Sequence, residues 1–123
     1  MTVPKKQYFT ESQERMARYA KALGHPVRVF IMGYLLKNTN KCCYSGDMAE
    51  ELPIARSTLS QHLSELKDAG LIQGEINPPK IKYCLNHENW AIAWQLCRKL
   101  YKADSAEKQE RGTLQIKIDD TIS

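Results

Sequence analysis

Four cysteines carry the most reactive side chains of this 123-residue chain, at positions 42, 43, 84 and 97. None of their spacings forms the C-x-x-C pattern of a structural zinc site or a thioredoxin-like redox pair. Cys42 and Cys43 are adjacent on a short segment that is predicted to be extended, and side chains alternate across a strand. One of the two therefore shares a face with Cys84 if the strand that carries Cys84 pairs with this segment. Thiolates select soft ions, so Cys42, Cys43 and Cys84 are a candidate site for arsenite or a thiophilic metal ion.

Two alternatives for these cysteines stay open. The first is oxidation, in which the adjacent pair forms a redox sensor and Cys97 is a more distant partner. The second is a purely structural role, because a free cysteine usually behaves as a small buried hydrophobic residue. The cysteines are expected to be reduced thiols, and no cofactor is required for the protein to function.

A second candidate site is the polar run at positions 56–62. Leu59, Leu63 and Leu66 recur at helical spacing and predict one buried stripe, which turns the other side chains outward. These outward side chains are Arg56, Ser57, Thr58, Ser60, Gln61 and His62. Glutamine pairs with adenine and arginine with guanine in the major groove, while hydroxyls reach phosphates or bases. Lys80 and Lys82 follow on a predicted hairpin, where they can lie along the DNA backbone. The pattern predicts double-stranded DNA as the partner.

The elements that position these residues follow from hydrophobic periodicity. Helices are predicted over 11–23, 26–37, 47–52, 56–69 and 88–101, and a hairpin over 71–76 and 81–85. Two short helices followed by a hairpin are the order of a winged helix-turn-helix. The predicted fold class is mainly α with a small β-hairpin wing (α+β), the hairpin lying between the fourth and fifth helices. We predict an N-terminal arm over 1–10, a single domain over 11–103 and a polar tail over 104–123.

Composition and charge limit the functional classes. The chain has 42% hydrophobic and 26% charged residues and a net charge of +4, which is typical of a globular protein and compatible with a polyanionic partner. No apolar run approaches the roughly 20 residues that span a bilayer, and no secretory signal is visible, so we expect a cytoplasmic protein without a membrane partner. No Gly-rich phosphate loop, H-E-x-x-H motif or nucleophile elbow occurs, so an enzyme is not expected.

Residues 20–86 resemble the ArsR/SmtB family of metal- and stress-sensing repressors. The sequence ALGHP at 22–26, with Arg28, is similar to the family's opening before its second helix. The sequence STLSQHL at 57–63, followed by AGLI at 69–72, is similar to its recognition helix and the exit into the wing. The resemblance implies a homodimer formed by the first and last helices. It also implies binding to an imperfect palindrome and repression that an inducer relieves.

The resemblance does not supply the inducer. The positions that hold cysteines in arsenic-sensing members correspond here to Tyr44, Gly46 and Ala49. The acidic and histidine pattern of the zinc-sensing members fails on the last helix, where Lys99 and Lys102 follow Glu88. Neither site of the family can be carried over to this chain.

Large apolar residues on the first and last predicted helices point to self-association. They are Tyr19, Leu23, Trp90, Trp94, Leu100 and Tyr101. This is more apolar surface than a small domain easily hides, and symmetric pairing covers it while setting two recognition helices about 34 Å apart. Two alternatives stay open: both tryptophans close the core of a monomer, or the winged helix binds only another protein.

Overall fold

The computed structural model describes residues 8–38, 40–77 and 80–111. Within these ranges the chain forms five helices and three strands, in the order predicted. They are α1 (Glu11–Leu23), α2 (Pro26–Lys37), β1 (Cys42–Tyr44), α3 (Ser45–Glu51), α4 (Arg56–Ala69), β2 (Ile72–Asn77), β3 (Lys80–Leu85) and α5 (His87–Arg111). The architecture is a winged helix-turn-helix of the mainly α class, which confirms the predicted fold.

Local sequence signals explain where the helices begin and end. Thr10 precedes α1 in a capping box: its hydroxyl accepts from the Gln13 N–H at 3.0 Å, and the Gln13 side chain accepts from the Thr10 N–H at 2.9 Å. α2 begins at Pro26, where the missing N–H costs nothing. α4 ends at Gly70, whose φ of 89° is left-handed, a conformation that is common for glycine at the end of a helix.

The sheet has the strand order β1-β3-β2, and both strand pairs are antiparallel. β2 and β3 form the hairpin that we call the wing. β1 pairs with the other edge of β3 and places Cys42 opposite Cys84. The pairing of the segment before α3 with the second wing strand therefore follows the expectation.

The core lies where α1, α2 and α4 meet the sheet. Its fully buried side chains come from every helix of the helix-turn-helix and from the start of the wing: Ile31, Leu35, Met48, Leu59, Leu63, Leu66, Leu71 and Ile72. Burying one such aliphatic side chain contributes about 1.5–3 kcal/mol. The buried leucine stripe of α4 therefore fixes which face of that helix is left for solvent.

The structure departs from the predictions at the C-terminal end of the last helix. α5 continues to Arg111, so the segment predicted as a tail from 104 begins inside a helix. The predicted tail beyond residue 111 and most of the predicted N-terminal arm lie outside the described residues. No helix within the described ranges is long and apolar enough to cross a membrane.

Candidate nucleic-acid interface and cysteine pair

α4 presents a polar face to solvent because the core takes its apolar stripe. Leu59, Leu63 and Leu66 are no more than 2% exposed. The opposite face is exposed and carries five of the six α4 residues predicted to contact DNA: Arg56, Ser57, Thr58, Ser60 and Gln61. The structure thus brings these five side chains together on one outward surface.

The N-terminus of α4 has no side-chain cap. Ala55 occupies the N-cap position and offers no side-chain acceptor to the first N–H groups of the helix. Such N–H groups, together with the aligned peptide dipoles, favour an anion. The first turn contains no acidic residue and begins with Arg56. The electrostatics of this helix end therefore suit a phosphate group.

His62 differs from the other polar residues of α4 because its ring turns towards α2. Its Nδ1 lies 3.1 Å from Nη1 of Arg28, and the centre of its ring lies 4.3 Å from that of His25. Burial, followed by the charges of His25 and Arg28, lowers the pKa of His62 below its ordinary value of 6.5. The ring is therefore neutral at pH 7. A direct contact of His62 with DNA stays a prediction.

The two predicted lysines of the wing lie in different surroundings. Lys80 is exposed at the start of β3, and its Nζ stands 5.3 Å from the centre of the Tyr44 ring, within cation–π range. Lys82 is half-buried, opposite Tyr44 of β1 and Glu75 of β2 in the strand register. Lys80 is thus the more accessible of the two cations for a DNA backbone beside the wing.

Cys42 and Cys84 form a disulfide in the structure. They are register partners on β1 and β3, with their Cα atoms 4.0 Å apart. The expectation of reduced thiols is wrong for these two residues. The expectation that one of the adjacent cysteines shares a face with Cys84 is confirmed, and that residue is Cys42.

Cys43 points to the opposite face of β1 and belongs to the core. Burial and the charge of Asp47 raise the pKa of its thiol to about 11, so it stays protonated at neutral pH. The predicted cluster of three cysteines is therefore wrong, because strand alternation separates Cys43 from the pair. In the part of the chain that the structure describes, no group of three or more His, Cys, Asp or Glu side chains could hold a metal ion. Cys97 is a free, half-buried thiol on α5.

The residues predicted to form a dimer interface fall into three groups. Tyr19 is only 2% exposed and packs inside the chain itself, so its assignment to the interface is wrong. Leu23 and Trp90 are half-buried and pack against the core. The α5 side chains of Trp94, Leu100 and Tyr101 are 61%, 63% and 69% exposed. These last three remain available to a partner.

Comparison with known proteins agrees with this geometry. A family profile for a helix-turn-helix domain matches residues 23–75. The biofilm growth-associated repressor of Xylella fastidiosa (strain 9a5c) is 30% identical over 95 residues, which cover 77% of this chain and 78% of that protein. The chain belongs to the ArsR family of helix-turn-helix transcriptional regulators.

A second regulator and a solved structure are also similar to this chain. The HTH-type transcriptional regulator CmtR of Mycobacterium tuberculosis (strain ATCC 25618 / H37Rv) is 33% identical over 81 residues, 66% of this chain and 66% of that protein. The solution structure of Mb0332 from Mycobacterium bovis is a homodimeric winged helix-turn-helix DNA-binding domain and a possible ArsR-family regulator. It shares the fold with a TM-score of 0.59 over 94% of this chain and 98% of that one, at 20% identity.

The contacts that Arg28 and Asn89 make in this ArsR-family chain were not predicted from the sequence. Arg28 reaches His62 in α4, as described above. Asn89, in the first turn of α5, donates from Nδ2 to the Gly70 carbonyl at 2.8 Å, and its Oδ1 accepts from Arg15 at 3.0 Å. A sequence signal for the Arg28 contacts does exist, because a cation five residues after the end of α1 can reach the unpaired carbonyls of that helix end. Asn89 gives no such signal, because its partners lie far from it in the chain.

Proposed function

We propose that the chain is a sequence-specific DNA-binding transcriptional repressor that acts as a homodimer. The observation that carries the proposal is the exposed face of α4, where Arg56, Ser60 and Gln61 lie outward above a buried leucine stripe. These side chains match the donor and acceptor pattern of base edges in the major groove. The repressor function of the X. fastidiosa relative and the DNA-binding homodimer of the M. bovis neighbour support the proposal.

Pairing of two chains makes the exposed face of α4 specific for a longer DNA sequence. Two-fold symmetry sets two copies of α4 about one DNA turn apart, so the operator is an imperfect palindrome with half-sites about 34 Å apart. Lys80 on each wing then lies beside the DNA backbone next to its half-site. The proposed place of action is the cytoplasm, and the proposal includes no catalytic step.

A fluorescence-anisotropy titration tests the proposal on the duplex DNA upstream of the chain's own coding region. Gln61→Ala removes one base-reading amide and should weaken specific binding about 5- to 100-fold, the range for losing one good base pairing. Gln73→Ala is the matched control, because Gln73 is equally exposed but lies on β2 near the base of the wing. Its affinity for the duplex should stay within about twofold of the original.

The salt dependence separates this proposal from a winged helix that binds only protein. DNA affinity should fall steeply as salt rises, and Arg56→Ala should reduce the slope of log K against log salt by about one. Lack of affinity for this duplex, and for any duplex in a random-sequence library, would overturn the proposal. Equal effects of Gln61→Ala and Gln73→Ala would show that Gln61 does not read a base.

The inducer is proposed to act at Cys42 and Cys84. Their disulfide favours the redox alternative: two thiols lose two electrons and two protons to an oxidant such as a peroxide, and the S–S bond forms. In the reduced state the same two thiolates face each other on β1 and β3 and suit arsenite or another thiophilic ion as an alternative inducer. Either event acts on β3, the second strand of the wing, through its pairing with β1.

Comparison of redox states tests the inducer. DNA affinity is measured for the reduced protein, the peroxide-treated protein and the reduced protein with arsenite. The double variant Cys42→Ser/Cys84→Ser should abolish any response, whereas Cys97→Ser should retain it. A response that survives the double variant would exclude this pair as the sensor. A response to arsenite but not to peroxide would select the thiophilic-ion alternative.

A further inference from the structure

Arg28 joins three helices through one guanidinium group. Its Nε donates to the Ala22 carbonyl at 2.6 Å and its Nη2 to the Lys21 carbonyl at 3.4 Å, both in the last turn of α1. Its Nη1 lies 3.1 Å from Nδ1 of His62 in α4. The carbonyls at a helix end have no partner within the helix, and a cation there also complements the helix dipole. Arg28, on α2, therefore holds the end of α1 and the middle of α4 in one arrangement.

The contact with Arg28 defines the state of the His62 ring. An arginine side chain only donates hydrogen bonds and stays charged, so Nδ1 of His62 is the acceptor and the proton of the neutral ring is on Nε2. The ring of His25 lies against the same ring at an interplanar angle of 45°, while its own Nδ1 accepts from the Val27 N–H at 3.1 Å. A second proton on His62 would therefore remove the acceptor and place a positive ring against Arg28.

The other charged groups around His62 only partly oppose this effect. Glu65, one turn further along α4, lines the same groove as Arg28 and His62 and favours a charged ring. Arg18 and Lys21 of α1 line the adjoining groove together with Glu65 and Asp68 of α4. Of these two carboxylates, Glu65 raises the pKa of His62, and burial, His25 and Arg28 outweigh it. The balance of charge favours a neutral His62.

We propose that Arg28 is a positioning residue for DNA recognition, which holds α4 in its DNA-reading orientation through neutral His62. The proposal rests on the function proposed above. Gln61 directly precedes His62 on α4, so a helix released from Arg28 shifts or rotates the side chains that face the major groove. Such a displacement of α4 weakens DNA binding, although Arg28 itself contacts no base.

The proposal gives the pH dependence an unusual sign. The pKa of His62 lies below 6.5, so the contact with Arg28 is present at pH 7 and is lost as the pH falls through the lowered pKa. DNA affinity should then decrease on acidification. A histidine that merely lies near phosphates has the opposite effect, because each added proton strengthens binding to a polyanion. The sign of the pH dependence therefore separates the two roles.

Two variants test the mechanism, with the full chain kept in one redox state throughout. The probe is a duplex selected by the wild-type protein from a random-sequence library. Arg28→Lys keeps the charge but loses the planar fork, and should weaken binding at pH 7.5 about tenfold. Lys37→Arg, the reverse exchange at an exposed position on the same helix, is the matched control and should stay within about twofold. Circular dichroism verifies that both variants are folded.

His62→Asn replaces the ring by an amide whose oxygen stands close to the position of Nδ1 and does not titrate. The wild-type protein should bind more weakly at pH 5.5 than at pH 7.5, and His62→Asn should lose this decrease. His87→Asn, at an exposed histidine that begins α5, should retain it. Stronger binding at pH 5.5 in the wild type would overturn the proposal, as would wild-type affinity in Arg28→Lys.

A measurement without DNA keeps this inference separate from the proposed function. Nitrogen-15 NMR of the imidazole rings should show His62 at pH 7 with its proton on Nε2, and Arg28→Lys should change that signature. An Nδ1–H ring, or a His62 signal unaffected by Arg28→Lys, would contradict the inference even if the protein binds DNA. If the ring signature is as expected but no duplex is selected, the proposed function fails and the contact is purely structural.

Discussion

Cys42 and Cys43 are neighbours in the chain but differ in chemistry. Cys42 faces β3 on the side that carries Cys84, whereas Cys43 is 8% exposed and lies in the core beside Asp47. Since the thiolate is the reactive form, a pKa raised to about 11 leaves only about one Cys43 thiol in a thousand ionised at pH 8. Burial adds a steric barrier. The reactivity of a cysteine is thus decided by which face of β1 it occupies.

Alkylation with iodoacetamide at pH 8 should distinguish the two free thiols of the folded protein. Cys97 on α5 is half-buried and should react first, while Cys43 should stay unmodified until the protein unfolds. Mass spectrometry of peptides after timed labelling measures both rates. Labelling in guanidinium chloride is the control, in which the two residues should react alike. Comparable rates in the folded protein would show that the Cys43 thiol is accessible and ionises normally.

The proposed DNA interface depends on α4. The backbone conformation of Gly70 determines where this helix ends. Gly70 has φ 89°, a conformation that costs other L-residues about 1–2 kcal/mol. Its carbonyl accepts from Asn89, and a Cβ on Gly70 would lie 2.9 Å from Nδ2 of that side chain. Asn89 in turn holds Arg15 of α1. One glycine therefore permits both the helix end and its contact with α5 and α1.

Gly70→Ala should lower the free energy of unfolding by at least about 1–2 kcal/mol, because it adds backbone strain and displaces Asn89. Gly46→Ala is the matched control: Gly46 lies inside α3 and a Cβ there meets nothing within 4 Å. Alanine favours a helix over glycine by up to about 1 kcal/mol, so this variant should be neutral or more stable. Urea unfolding at one protein concentration measures both. Equal stabilities of the two variants would contradict the role of Gly70.

The elements of this chain were predictable where the signal is local. The leucine spacing of α4 and the glycine that ends it lie within a few turns of each other, so sequence alone gave the helix, its buried stripe and its outward face. The register of β1 was not predictable in this way. Lys41 adopts φ 56°, rare for a residue with a side chain, and its carbonyl accepts from the Leu85 N–H at 2.8 Å. This long-range contact decides that Cys42, and not Cys43, faces Cys84.

At the scale of the whole molecule, apolar periodicity does not tell a core from an interface. Tyr19 and Trp94 both lie on apolar stripes of their helices, yet Tyr19 is buried in its own chain and accepts a hydrogen bond from Arg15 at 2.8 Å. Trp94 points to solvent, 61% exposed. The difference arises because α1 packs between α4 and α5, whereas α5 packs on one side only and continues to Arg111.

Trp94 and Tyr101 stand two turns apart on α5 and therefore lie on one stripe of the helix. If this stripe joins two copies of the chain, Trp94→Glu should convert the homodimer to a folded monomer, because a buried carboxylate pair at a two-fold interface is unfavourable. Sedimentation velocity gives the mass and circular dichroism the fold. Val29→Glu, a similar change at an exposed apolar residue of α2, is the control and should stay dimeric.

The same pair of variants links assembly to DNA binding. A monomer offers one α4 where the dimer offers two, so Trp94→Glu should lose most of its affinity for a palindromic duplex and much less for a single half-site. Val29→Glu should keep the preference for the palindrome. If Trp94→Glu stays dimeric, the α5 stripe is not the dimer interface. The next candidates are then Tyr8 and Phe9, which are exposed just before α1. A monomer that still prefers the palindrome would separate DNA recognition from the α5 stripe altogether.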